Sequence, residues 1–162
     1  MCLILLSYKT HPDYPLVVAA NRDEFFARPT TPAAFWSATP HVLAGRDLQA
    51  GGTWLGVTRN GRFAALTNYR DPAQNAQRPS RGALVADFLT GAETPADYLA
   101  RIAASGIEYN GYNLLLGDGD TLWWASNVTG EQHALAPGIY GLSNDVLDTP
   151  WPKVGAGKTA LG

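Results

Sequence analysis

Cysteine is almost absent from this chain, which contains one, Cys2, among its 162 residues. A single cysteine cannot form a disulfide within the chain, so the sequence does not predict the stapled scaffold of a small secreted domain. The chain also lacks a hydrophobic run that approaches the roughly 20 residues of a membrane-spanning helix. We therefore expect no integral membrane segment and a reducing compartment, most simply the cytoplasm.

Charge of either sign is scarce and scattered. Charged residues make up 16% of the chain and the formal net charge is −2. The sequence contains no basic helix or stripe that could follow a phosphate backbone, so nucleic acid is not an expected partner. His11, His41 and His133 show no metal-ligand spacing, which predicts no metal site. The length and the apolar content of 46% predict a single globular domain over residues 1–162.

The pattern in the first half of the chain predicts antiparallel strands. Residues 2–7 and 16–20 are short apolar runs separated by a turn-prone segment, and they predict an antiparallel pair. Residues 28–40 hold enough proline, serine and threonine to predict an irregular loop. Residues 53–58 and 62–68 flank Asn60-Gly61, which is typical of a tight hairpin turn.

The second half predicts helices and then further strands. A helix over residues 81–90, capped by Ser80, precedes a second helix that Thr94 caps and Gly106 ends. Strands at 113–117 and 121–125 follow, then a strand pair at 132–135 and 139–142 around Pro137-Gly138, and a last helix after Pro150. Short turns cannot make parallel crossovers, so this order predicts an α+β fold with antiparallel sheets.

Cys2 is the first candidate functional residue. Removal of Met1 would leave Cys2 with a thiol and a free α-amine, and an α-amine titrates near about 7.7–8.0. A nucleophile and a base would then share one residue, as in N-terminal-nucleophile hydrolases. This hypothesis predicts a thiol of low pKa. The alternative is a small apolar residue that opens a strand.

Polar residues at the ends of predicted strands are the other candidates. Asn21-Arg22-Asp23-Glu24 follows an apolar strand, and continued strand geometry would turn Asn21 and Asp23 to one face and Arg22 and Glu24 to the other. The run is either an active-site segment or a polar turn with an ordinary ion pair.

Two asparagines end strand-like runs later in the chain. Asn68 and Asn144 could donate to an oxyanion, or they could be turn residues. Trp54 either borders a lipophilic pocket or packs in the core. The polar stretch at residues 71–79 is either a mobile loop or the rim of a binding site.

Several of these segments belong to a larger set of blocks that resembles the NRDE family, also called the transport and Golgi organisation family. The blocks span essentially the whole chain and are Met1-Cys2, Asn21-Arg22-Asp23-Glu24, Ala44-Gly45-Arg46-Asp47, Gly51-Gly52-Thr53-Trp54-Leu55-Gly56, Leu66-Thr67-Asn68-Tyr69-Arg70-Asp71, Asn113-Leu114-Leu115-Leu116-Gly117-Asp118, Leu142-Ser143-Asn144 and Leu147-Asp148-Thr149-Pro150-Trp151.

The resemblance implies an N-terminal-nucleophile-hydrolase-like αββα sandwich of antiparallel sheets, distantly similar to bile-salt hydrolases and penicillin V acylases. It implies that Cys2 is the nucleophile, that Asn68 and Asn144 stabilise an oxyanion or orient the amine, and that Arg22 and Asp23 hold the amine and polarise the thiol. Asn21, Glu24 and Trp54 would support them. Which carboxylate of the quartet serves the amine stays open.

Two functions remain open on this resemblance. The first is hydrolysis of an amide or thioester of a lipophilic small molecule, with no cofactor required. The second is non-enzymatic binding and trafficking of haem, acyl-coenzyme A or another lipid. Relatives usually continue beyond the helix that follows Trp151, so the chain is expected to lack a C-terminal part of the domain. The alternative is a short variant whose exposed sheet edge is covered in a homo-oligomer.

Overall fold

The computed structural model describes residues 2–162, so Met1 and its predicted removal lie outside the described residues. Within that range the chain forms ten strands and three helices. The strands are β1 (Leu3–Tyr8), β2 (Leu16–Asn21), β3 (Thr30–Trp36), β4 (Thr39–Asp47), β5 (Leu55–Thr58), β6 (Phe63–Asn68), β7 (Tyr112–Gly117), β8 (Leu122–Ser126), β9 (Gln132–Ala134) and β10 (Gly138–Leu142). The helices are α1 (Gly82–Thr90), α2 (Pro95–Ala104) and α3 (Pro152–Leu161).

The strands form two antiparallel sheets. The smaller sheet has the order β10-β1-β2, and the larger sheet runs β3-β4-β5-β6-β7-β8-β9. The predicted α+β class with antiparallel sheets is confirmed. β1, the strand that follows Cys2, is the central strand of the smaller sheet and pairs with both of its neighbours.

One apolar cluster joins the two sheets. Ile4 and Leu6 of β1 pack there with Phe63 and Leu115 of the larger sheet. Burial of each such side chain contributes about 1.5–3 kcal/mol to folding. The intervening residue of β1, Leu5, lies against α3 instead. The alternation of side chains along β1 therefore places the smaller sheet between the larger sheet and α3.

The opposite face of the larger sheet is covered by α1 and α2. Ala64 and Leu66 of β6 belong to a second apolar cluster with Phe88 of α1 and Tyr98 of α2. The layer order is thus helix, sheet, sheet, helix, which is compatible with an αββα sandwich. Among residues 2–162, no helix combines the length and the apolar character that crossing a bilayer requires.

Local signals predicted several elements correctly. Gly61, in the hairpin between β5 and β6, has a φ of 85°, which glycine adopts at low cost. Thr94 caps α2 by accepting a hydrogen bond from the N–H of Asp97. Helix α1 begins at Gly82, one residue later than predicted, and Ser80 Oγ accepts its N–H at 3.3 Å. The cap position itself falls on Arg81.

The predicted loop at residues 28–40 is wrong, because most of it forms β3 and the start of β4. β3 lies at the edge of the larger sheet, where proline is tolerated because no neighbour needs its missing N–H. The pairing of β3 with β4 also shifts register between Thr31 and Ala34, which accommodates Pro32.

The predicted pairing of residues 132–135 with residues 139–142 is also wrong. β9 pairs with β8 in the larger sheet, whereas β10 pairs with β1 in the smaller one. Pro137-Gly138 therefore connects two sheets instead of closing a hairpin. β2 and β10 are the outer strands of the smaller sheet, and coverage of an edge by another subunit stays a prediction.

The packing of α3 on β1 is testable with two glycines of one helix. A Cβ at Gly157 would lie 2.4 Å from Leu5 Cδ1, whereas a Cβ at Gly155 would meet nothing within 4 Å. Gly155→Ala should stabilise the protein by about 1 kcal/mol through helix propensity. Gly157→Ala gains the same propensity but adds an overpacking cost of about 1–3 kcal/mol. Urea unfolding measures both; equal stabilisation would contradict the packing described.

Candidate functional site

Cys2 lies where two cavities meet. The first has a volume of about 760 Å³ and the second about 670 Å³. Both are lined by the same four residues, Cys2, Asp23, Asn68 and Arg81. Three of these were predicted from the sequence, and the fold brings them together from the starts or ends of different elements.

Tertiary contacts hold the backbone of Cys2 in place. Its carbonyl oxygen accepts hydrogen bonds from Ser143 Oγ at 2.7 Å and from Lys153 Nζ at 3.0 Å. Its sulfur accepts the backbone N–H of Asp23 at 3.5 Å. Contacts from the end of β10, from α3 and from the segment after β2 therefore converge on one residue.

The Cys2 thiol is not acidified by this environment. Burial raises the pKa of Cys2, while the charges of Arg22 and Lys153 lower it and Glu24 raises it again, and the net direction is upward. This is opposite to the low thiol pKa expected for a preactivated cysteine. The thiol is the predominant form at neutral pH, so it needs a base if it is to act as a nucleophile.

The predicted alternation within the quartet is wrong. β2 ends at Asn21, and beyond it Arg22, Asp23 and Glu24 all line the first cavity. Asn21 is exposed, pairs with Leu3 in the sheet and lines neither cavity. Arg22 donates to Glu24 Oε2 at 3.1 Å, so the ion pair of the simpler interpretation is present inside the cavity.

Asn68 and Asn144 are in contact. Asn144 Nδ2 donates to the carbonyl oxygen of Asn68 at 2.8 Å, and its own carbonyl oxygen accepts the N–H of Arg70 at 2.7 Å. Asn144 Oδ1 is buried and has no hydrogen-bond partner within residues 2–162. Asn144 lines the second cavity together with Cys2. Among the described residues, Asn144 therefore keeps one acceptor without a donor beside the second cavity.

Aromatic side chains form the apolar part of the first cavity. Trp54 lines it and also packs against the inter-sheet cluster, and a lipophilic ligand beside this residue stays a prediction. Phe25 and Phe26 line the same cavity and are 86% and 109% exposed. The stretch at residues 71–79 lies at the rim of both cavities and contributes Asp71 and Asn75 among others.

Sequence reasoning missed several residues of the site. Of the two residues that hold Cys2, Lys153 lies in no motif, and Ser143 lies in the block 142–144 but had no role assigned to it. Asp47 ends the block 44–47 and accepts from Arg28 Nη2 at 2.6 Å and from the N–H of Gln49 at 2.9 Å. Arg81 was read only as the start of a helix. No local signal marked it, because a charged residue directly before a helix is ordinarily exposed to solvent.

The fold and the site together define an α+β sandwich whose cysteine lies at the meeting of two cavities lined by polar strand ends. The chain matches the family model Transport and Golgi organisation 2 over residues 1–162. It is 44% identical to the Transport and Golgi organization protein 2 homolog of Bos taurus, and 42% identical to that of Homo sapiens. The Drosophila melanogaster protein is 32% identical.

The chain belongs to the Transport and Golgi organisation 2 family. Each of the three alignments covers 98% of this chain and 62% of the relative. The chain thus spans about 62% of the length of the curated relatives it matches.

The Asp47 contacts predict a pH-dependent stability. Burial alone would raise the pKa of Asp47, but hydrogen bonds from Arg28, Ala50 and Gln49 hold it below its usual value. A depressed carboxyl pKa stabilises the fold above the pKa of the unfolded state, and this stabilisation is lost as pH falls through the folded pKa. Asp47→Asn should cost about 1–3 kcal/mol at pH 7 and less at pH 3, where part of this stabilisation is already lost. Urea unfolding at both pH values tests this; equal losses would contradict it.

The charges around Cys2 predict opposite shifts of its titration. The midpoint of the alkylation rate with iodoacetamide should lie above the usual thiol pKa of about 8.5. Arg22→Gln should raise the midpoint further, because it removes a charge that favours the thiolate. Glu24→Gln should lower it, because Glu24 raises the thiol pKa. Mass spectrometry of each variant verifies that their N-termini are the same, and shifts of equal sign would argue against this electrostatic picture.

Proposed function

We propose that this chain is the core of a cysteine N-terminal-nucleophile hydrolase, which cleaves an amide or thioester of a lipophilic small molecule in the cytoplasm. One observation carries the proposal: Cys2, Asp23 and Asn68 line both cavities at the point where these meet, with Asn144 beside them in the second. Two stacked antiparallel sheets between helices, with the cysteine at the start of a central strand, support the corresponding fold assignment.

The mechanism needs the α-amine that removal of Met1 would place on Cys2. Burial keeps the thiol protonated, so the neutral amine takes its proton, directly or through a water, as the sulfur attacks the carbonyl carbon. The resulting ammonium returns the proton to the leaving amine or thiolate, and an acyl-Cys2 thioester forms. Water then attacks this thioester with the amine as base, which releases a carboxylic acid and restores the thiol.

The two asparagines have different tasks in this proposal. The Asn144 amide nitrogen already donates to Asn68, whereas its buried Oδ1 is available to accept from the amine. Asn68 faces both cavities and supplies the amide donor to the oxyanion. Asp23 and Arg22 hold the amine and influence the thiol, and Glu24 holds Arg22.

The acyl group of the substrate would lie against the aromatic wall of the first cavity. Trp54, Phe25 and Phe26 provide apolar surface there, beside the polar groups that surround Cys2. Such a mixture of apolar walls and a few convergent polar groups is typical of small-molecule sites.

Intact mass and acylation test the hydrolase. The purified protein should lack Met1, and p-nitrophenyl butyrate should give a stoichiometric burst and a butyryl adduct on Cys2. Asn68→Ala should slow acylation by about 10²–10³-fold, since it removes an oxyanion donor. Cys2→Ala should abolish the burst, and Asn21→Ala is the matched control because Asn21 lines neither cavity. A retained Met1 with an unreactive Cys2 would remove this proposal.

A non-enzymatic carrier of acyl-coenzyme A or another lipid is the second candidate. It is favoured by the raised pKa of the Cys2 thiol and by the size of the cavities. A haem with a histidine ligand fits less well, because His11, His41 and His133 line neither cavity. Titration of the protein with palmitoyl-coenzyme A separates the two functions. The parent protein and Cys2→Ala of a carrier both bind it saturably and neither releases coenzyme A, whereas a hydrolase releases coenzyme A unless Cys2 is replaced.

A further inference from the structure

The first cavity is cationic in a chain whose net charge is negative. Five arginines and three carboxylates line it, whereas the whole chain has a net charge of −2. Three of the arginines have carboxylate partners: Arg22 with Glu24, Arg28 with Asp47, and Arg78 with Glu108. A fourth lies over the Trp36 ring at 4.5 Å. The fifth is Arg81, which the proposed mechanism does not use.

Arg81 is a half-buried cation whose side chain donates a hydrogen bond to a neutral acceptor. Its Nη1 donates to the carbonyl oxygen of Gly111 at 2.9 Å, and no carboxylate within residues 2–162 forms an ion pair with it. Burial lowers the pKa of Arg81, but a guanidinium remains charged at neutral pH. Its remaining N–H donors can therefore bind an anion at a site that is partly shielded from water.

The backbone next to Arg81 is held against the segment between β4 and β5. A Cβ at Gly52 would lie 2.4 Å from the carbonyl carbon of Gly82, so these two segments are in direct contact. The N–H of Thr53 donates to the carbonyl oxygen of Gly82 at 3.2 Å. The residue just before α1 thus has a defined position at the cavity wall, which limits the entropy lost when its side chain binds a ligand.

Arg81 is placed to contact a ligand rather than to activate the thiol. Like Cys2, it lines both cavities. Among the described residues, the positive charges that lower the pKa of Cys2 are those of Arg22 and Lys153. A ligand held at the Cys2 sulfur can therefore also contact Arg81, because both residues line both cavities.

We propose that Arg81 binds a carboxylate of the ligand, which narrows the substrate class of the proposed hydrolase to amides or thioesters that bear a free carboxylate. The substrate class rests on the proposed hydrolase function, whereas the anion site itself rests on Arg81 alone. A planar guanidinium with one unpaired positive charge matches the shape and the single charge of a carboxylate.

A pair of maleimides tests the site without any enzymatic turnover. N-ethylmaleimide is neutral and 3-maleimidopropionate carries a carboxylate, and both add the Cys2 thiolate across the same double bond, with the α-carbon protonated by water. Because both reagents react with the Cys2 thiolate, the fraction of thiolate cancels in the ratio of their rates. Relative to glutathione, the protein should favour the carboxylate reagent, and Arg81→Gln should reduce this preference about tenfold, as expected for one charge-assisted hydrogen bond.

Two variants make this result specific. Arg78→Gln removes an arginine of the same cavity that is already paired with Glu108, so the preference should stay within about twofold of that of the parent protein. Arg81→Lys retains the positive charge but lacks the planar guanidinium, so it should keep part of the preference for the carboxylate reagent. An unchanged ratio in Arg81→Gln, with folding verified by urea unfolding, would overturn the proposal.

A binding titration decides the case in which Cys2 reacts with neither maleimide. 3-Phenylpropionate should shift the amide NMR signals of residues near Arg81 saturably, and 3-phenylpropionamide should not. The carboxylate should lose its effect in Arg81→Gln and keep it in Arg78→Gln. Equal binding of acid and amide would overturn the anion site. A retained Met1 or a missing acyl-enzyme would end the hydrolase proposal and leave this result unaffected.

Discussion

The hydrogen bonds that Ser143 and Lys153 donate to the carbonyl oxygen of Cys2 are the interaction on which the site depends. They come from residues more than 140 positions away in the chain, so they exist only when the smaller sheet and α3 have assembled. An N-terminal residue would otherwise be among the least ordered of a domain. Folding thus converts the start of the chain into a fixed point between two cavities, and burial of the thiol is part of the same event.

Local chemistry made part of the fold predictable. Asn60-Gly61 and Thr94 carry strong turn and cap preferences, and the structure uses both as expected. The failures concern the choice of partner strand. Pro32 predicted a loop, but it lies in an edge strand at a register shift that accommodates it. β9 and β10 do not pair with each other, because β9 pairs with β8 and β10 pairs with β1. Such pairings depend on which side chains become buried against strands that are distant in the sequence. Short sequence patterns carry no information about that burial.

The same distinction explains the site. Polar residues at strand ends are conspicuous because burial cannot account for them, so Arg22, Asn68 and Asn144 could be selected from the sequence. Arg81 could not, because a charged residue before a helix is ordinarily solvated. Its significance arises from the close approach of Gly52 to Gly82, which places the start of α1 at a cavity wall. The alternation proposed for Asn21 and Glu24 failed for a related reason: β2 ends at Asn21, where the period of two stops.

The choice between hydrolase and carrier reduces to where a proton can go. Burial stabilises the neutral thiol more than Arg22 and Lys153 stabilise the thiolate, so the charges present in residues 2–162 do not create a nucleophile. Hydrolysis therefore requires a base, and the buried Oδ1 of Asn144, which lines the second cavity, has no hydrogen-bond partner among these residues. In the proposed mechanism, the α-amine on Cys2 would meet both needs, because its lone pair would take the thiol proton and its N–H would donate to that oxygen. Without that amine, the same residues form a cationic cavity with a protonated thiol, which can bind a ligand and leave it intact.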